Sequence, residues 1–240
     1  MWLLRRTNAF VSDLERDLSL LTDAASLRDI LDASIFFSTS MGRIGSEFQS
    51  LLPPIFHRRL TKFVVKKWAD GVSTMSETLR LCREAGVAGP LMSTASTNES
   101  DLNPSQHARS SPAELLSPPR RLLALPPLAR FVNSFLDGLN ELRRCLLPGS
   151  KGPLVSSSLV VFSEVESLLV ANERAVLKPG LRGDATRLRY AASETKKEFV
   201  GCVRPFLIVS LRHAIGDLDA RDFSEEGGSK QTDRDELEDE

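Results

Sequence analysis

One tyrosine, two tryptophans and three cysteines are all that 240 residues carry of these types. Cys82, Cys145 and Cys202 are odd in number and far apart, so no disulfide framework is expected; they read as buried apolar thiols in a reducing compartment. The opening Met1-Trp2-Leu3-Leu4-Arg5-Arg6 is too short for a signal-peptide core, and its charges follow the apolar residues instead of preceding them. No stretch is expected to supply the roughly eighteen apolar residues of a membrane span, so any membrane association is peripheral. Catalytic templates are also missing. There is no GxxxxGK[ST] loop, and Gly149-Ser150-Lys151-Gly152 follows a helical pattern where a phosphate cradle needs a strand. Ser193-Glu194-Thr195-Lys196 matches an SxxK pattern without its companion motifs. His57, His107 and His213 have no ligand at metal spacing, and His57 is expected on a solvated helix face. The sequon Asn98-Glu99-Ser100 has no meaning in the cytosol. The expectation is no metal, no cofactor and no enzyme activity.

The formal net charge of −1 excludes any global attraction to nucleic acid or acidic lipid, but it is unevenly spread. Residues 217–240 hold eleven acids against Arg221, Lys230 and Arg234, a net −8, which leaves about +7 on residues 1–216. A mildly basic body with an acidic tail is the better description.

What the chain does have is helical periodicity. In Pro126-Pro127-Leu128-Ala129-Arg130-Phe131-Val132-Asn133-Ser134-Phe135, continuing to Pro148-Gly149, the apolar residues Leu128, Phe131, Val132, Phe135, Leu136, Leu139, Leu142 and Leu146 recur at three and four residues. A proline pair starts this helix and Pro-Gly stops it. Asp137, Glu141, Arg143 and Arg144 fill the polar remainder and are the residues of this helix available to a partner. The same spacing predicts helices over about 2–21, over 26–48 with Ser26 and Asp29 as a capping pair, and over 55–83 after Pro53-Pro54. Gly42 and Gly45 either allow close helix approach or mark a frayed end, and Gly71 offers a bend. Two more helices follow, ending near Ala175 and Arg212; Pro205 predicts a kink or a boundary one turn upstream of itself. Leu207-Ile208-Val209 is the one short β-like fragment. The fold expectation is all-α, about six helices in stacked bundles. Residues 1–92 form a first bundle segment, 93–119 a flexible Ser/Pro-rich loop, 120–215 a second bundle segment and 216–240 a disordered acidic tail. The 93–119 stretch reads as a surface excursion within one helical array, with an interdomain boundary as the alternative.

One cluster is a candidate ligand surface. Arg58, Arg59, Lys62, Lys66 and Lys67 lie along one side of the third helix, beside Phe56, Phe63 and Trp68. They form either a docking face for an anionic partner or membrane, or an ordinary solvated face. The helix matches no nucleic-acid-binding module, and its aromatics lie on the apolar side, so nucleic acid is not an expected partner.

Longer strings carry a resemblance. Leu4-Arg5-Arg6-Thr7-Asn8-Ala9-Phe10, Asp23-Ala24-Ala25-Ser26-Leu27-Arg28-Asp29-Ile30-Leu31, and Ser40-Met41-Gly42-Arg43-Ile44-Gly45 occur in that order. Leu51-Leu52-Pro53-Pro54-Ile55-Phe56, Pro126-Pro127-Leu128-Ala129-Arg130-Phe131-Val132-Asn133 and Pro179-Gly180-Leu181-Arg182-Gly183 follow. Together, over about residues 3–215, they resemble the eighth-subunit family of the conserved oligomeric Golgi complex, in its middle and C-terminal portion, with the N-terminal part absent. The resemblance implies a non-enzymatic subunit of a vesicle-tethering complex, a helical rod peripheral to the cytosolic face of the Golgi membrane. It implies support for intra-Golgi retrograde transport and Golgi organisation through helix-mediated contacts with other subunits, and vesicle-docking proteins as further partners. A peripheral membrane-surface module acting through the basic 58–67 face is the alternative function.

Overall fold

A computed structural model describes residues 2–43, 45, 48–87, 116–147, 149–178 and 183–216. The Ser/Pro-rich stretch over 88–115 with its sequon and His107, the 179–182 motif and the acidic tail from 217 lie outside the described residues. The described residues form seven α-helices: α1 (Trp2–Leu18), α2 (Ala24–Gly42), α3 (Leu52–Ala85), α4 (Pro126–Arg144), α5 (Lys151–Val176), α6 (Ala185–Glu198) and α7 (Arg204–Ile215). A π turn, Phe199–Val203, joins α6 to α7, so the last two run on as one rod and the described residues make six rods. No strand occurs among the described residues, and the β-like Leu207-Ile208-Val209 is helical. The fold is all-α.

Local chemistry accounts for the helix ends. α3 begins three residues earlier than the periodicity indicates, because Pro53 and Pro54 sit in its first turn, where a missing N–H costs nothing. Gly71 does not bend α3, which is continuous to Ala85. The π turn falls just before Pro205, where proline cannot donate to the preceding turn, and the wider turn absorbs that loss inside the rod. α2 stops at Gly42, six residues short of the expected end.

The capping pair is corrected. Asp23, not Ser26, is the N-cap of α2, and its carboxylate accepts from the Ser26 N–H at 2.7 Å and the Ser26 hydroxyl at 2.8 Å. Those two bonds, the backbone one first, hold the Asp23 pKa below the usual 3.8. A carboxylate with a depressed folded-state pKa stabilises fully above its unfolded value and loses that contribution as pH falls through the folded value. Asp23→Ala is therefore expected to lower the melting temperature at neutral pH, by a margin that closes in acid below the ordinary aspartate range. Thermal melts of both chains across pH check this; a margin that stays constant into acid contradicts the cap.

The core is built on α3 and α4. They run antiparallel: Lys67 reaches Glu141, Trp68 reaches Phe135, and Arg130 reaches Thr78. Trp68, Phe131, Phe135, Phe162 and Phe199 are fully buried, and their rings pass contact from α3 through α4 to α5 and the π turn. Two glycines set the α3–α4 spacing. A Cβ on Gly71 would lie 2.7 Å from Ser134 Cβ, and one on Gly138 would lie 2.5 Å from Trp68 Nε1. The helices approach that closely only because neither position carries a side chain.

α5 corrects one sequence expectation. By length and composition it is apolar enough to cross a membrane, with a mean hydropathy of 1.7 over its best window. In the fold its Leu154, Val161, Phe162, Val165 and Leu169 are buried in the common core, and Ser158 and Asn172 are buried with them. With 39% of that window buried, it packs one face into the bundle and leaves the other outward, Val160 included.

Candidate functional site

The first half of α3 places all five basic residues on its outer side, but the fold uses them differently. Arg58 pairs with Glu15 of α1 at 2.6 Å, both side chains being about half exposed. Arg59 donates to the Leu21 carbonyl in the α1–α2 connection at 2.6 Å. Lys67 turns inward to Glu141 of α4 at 3.2 Å and sits 5.3 Å from the centre of the Phe63 ring. Lys62 and Lys66 alone of the five stay exposed without a partner among the described residues. The cluster is therefore a clasp: three cations fasten α1, the α1–α2 turn and α4 onto α3, and two face solvent. Of the flanking aromatics, Phe56 and Trp68 are in the core and Phe63 is half-buried.

Glu141, expected on the solvated side of α4, is buried. Its Oε2 accepts the Ala24 N–H in the first turn of α2 at 3.1 Å, and its Oε1 accepts from Lys67. It thus satisfies one of the backbone donors that every helix start leaves open. Nothing in the periodicity marks it, because it lies beside the apolar stripe and its partners are 117 and 74 residues away in the chain. Asp137, Arg143 and Arg144 remain exposed as expected. His57 is half-buried instead of solvated, and its Nε2 is sealed from solvent without a hydrogen-bond partner among the described residues.

Two clefts stand out among the described residues. One lies between α4 and α7, lined by Leu136, Leu139, Arg143, Phe206, Ser210 and His213. The other is bordered by Leu79, Cys82, Arg83, Asn172, Leu188 and Ala192, with Arg83 donating to the Asn172 side-chain oxygen. Burial raises the Cys82 thiol above its ordinary value, more than the Arg130 and Arg83 charges lower it, so it stays protonated at neutral pH. Cys145 and Cys202 are raised by burial likewise. No group of three His, Cys, Asp or Glu side chains at metal-binding geometry occurs among the described residues. The arrangement offers surfaces and internal ties; neither cleft brings an acid, a base and a nucleophile together.

No family model matches the chain. No solved structure matches it either. Curated proteins do. The chain is 30% identical over 144 residues to conserved oligomeric Golgi complex subunit 8 of Mus musculus, covering 60% of this chain and 21% of that protein. Over 144 residues it is 29% identical to the subunit 8 of Drosophila melanogaster, covering 60% of this chain and 23% of that protein. The match to the Homo sapiens protein is 26% over 174 residues, 72% of this chain and 27% of that one. The chain thus spans about a fifth to a quarter of the length of these relatives. The resemblance carried by the ordered strings of the sequence is the one the comparisons find: this chain is similar to a portion of conserved oligomeric Golgi complex subunit 8.

Proposed function

We propose that the chain acts as a non-enzymatic subunit of a Golgi vesicle-tethering complex and supports intra-Golgi retrograde transport through helix-mediated contacts with other subunits. The single observation that carries this reading is the agreement of five curated relatives, from insect to slime mould to mammal, on conserved oligomeric Golgi complex subunit 8. An all-helical array with large apolar side chains left at its surface suits a protein that works by docking. Its place would be the cytosolic face of the Golgi membrane, peripherally, with the other tether subunits and vesicle-docking proteins as partners. A second reading, membrane-surface binding through the basic 58–67 face, now rests on Lys62 and Lys66, since Arg58, Arg59 and Lys67 are occupied within the fold.

Affinity purification of the tagged chain from cells tests the tether reading. Other tether subunits are expected to co-purify; a preparation free of all of them removes the reading's support.

A further inference from the structure

We propose that the end of the array where α1 begins and α2 finishes is a binding face for an anionic lipid bilayer, with Trp2 and Phe36 as the inserting side chains. Three rings form its base: Phe10 lies 5.2 Å from Phe37 and 5.4 Å from Phe48, and Phe37 lies 5.8 Å from Phe48. Large apolar side chains are also exposed on the same two helices. Phe36 is 76% exposed, Trp2 and Leu4 are each 66% exposed, and Phe37 is 43% exposed. Leaving such side chains in water forfeits stabilisation that any apolar medium would return. The two clefts described above lie elsewhere, between α4 and α7 and beside the far end of α3. This end presents projecting side chains, a geometry that suits a deformable medium.

Basic side chains surround the Trp2 end of the face, while Asp32, one turn from Phe36 on the same side of α2, is paired with Arg28 at 2.9 Å. Arg5, Arg6 and Arg43 are exposed, and none has an acidic partner among the described residues. The Arg6 guanidinium lies 5.5 Å from the centre of the Trp2 ring. No acid occurs in residues 2–12, and Glu47 is the sole acid between Asp32 and Asp70. Aromatic rings at headgroup depth with guanidinium groups beside them are the chemistry of attachment to a negatively charged interface. An acidic phospholipid surface complements both features at once. Lys62 and Lys66, by contrast, have no comparably exposed aromatic on their stretch of α3. The inference stands on this geometry and not on the tether reading.

Flotation of the 240-residue chain with vesicles tests it, using phosphatidylcholine alone and phosphatidylcholine mixed with phosphatidylserine. Binding is expected on the mixed vesicles only, weakening as salt rises. Trp2 emission is expected to shift to the blue on binding, against the constant signal of buried Trp68. Trp2→Ser with Phe36→Ser should weaken partition about tenfold or more. Replacing Arg5, Arg6 and Arg43 by Gln should weaken it about fivefold per charge. Lys62→Gln with Lys66→Gln should leave it unchanged. The substituted side chains are exposed, so melting curves of the variants should match the parent and separate lost binding from lost folding. The proposal is overturned by no flotation on the mixed vesicles, by equal flotation of the Trp2 and Phe36 variant, or by loss only on changing Lys62 and Lys66. That last result would move lipid binding to the 58–67 face and leave the tether reading untouched.

Discussion

Trp68→Ala is expected to remove about 3–5 kcal/mol of folding stability. The indole is completely buried, stacks on Phe135 at 4.5 Å with 8° between the planes, and donates from Nε1 to the Phe135 carbonyl at 3.2 Å. Truncation leaves a void where α3 and α4 pass closest, and neighbours held by their own helices cannot collapse into it. The complementary change is Gly138→Ala. Its new methyl carbon would stand 2.5 Å from Nε1 of an indole that has nowhere to retreat, so it is expected to cost about 1–3 kcal/mol. In the Trp68→Ala background the same substitution should become neutral or stabilising, since the methyl enters the void and alanine favours the helix over glycine. Urea denaturation of the four chains measures the cycle. Independent, additive costs would contradict the account of Gly138 as the seat of the indole.

The second large effect is expected at Glu141. Glu141→Leu keeps approximate volume but leaves the Ala24 N–H without its acceptor and Lys67 without its counter-ion. A buried donor stripped of a charged partner, together with the lost ion pair, is expected to cost about 2–3 kcal/mol. The figure stays below that for a sealed ion pair because the Lys67 side chain is 33% exposed and can turn to water. Lys67→Met should for the same reason cost distinctly less than Glu141→Leu. Denaturation midpoints decide, and hydrogen exchange at Ala24 supplies a local readout that should rise only in the Glu141 variant. Equal costs for the two substitutions would mean that the ion pair, and not the cap on α2, is what Glu141 supplies.

The helices were legible because burial repeats along them at three and four residues. In α4 the buried Leu128, Phe131, Val132, Phe135, Leu139 and Leu142 are the residues the spacing selects. Pro205 was legible too, since a missing N–H must disturb the turn before it. The capping pair was misplaced because Asp23 and Ser26 both suit an N-cap, and only the backbone geometry distinguishes a cap from a third helical residue. Glu141 was illegible for a different reason. Periodicity assigns a residue to one side of its own helix, while the burial of Glu141 is caused by the start of α2 arriving against it. The basic stripe shows the same limit: Arg58, Arg59 and Lys67 sit together on α3, but their ties come from α1, the α1–α2 turn and α4. Gly138 is the intermediate case, a glycine inside a strong helix whose reason is an indole 70 residues away in the sequence.

The contact of Trp68 with Phe135 joins positions separated by 67 residues, so the central helix pair cannot nucleate as a tight hairpin. Its two halves must find each other across the span between Ala85 and Pro126 before the rings can stack. The entropy of closing such a span grows only with the logarithm of its length, about 0.6 kcal/mol for each doubling in a flexible chain. Evolution can therefore lengthen or rewrite the joining stretch at little thermodynamic expense, while the facing surfaces of α3 and α4 are held to the size of a glycine.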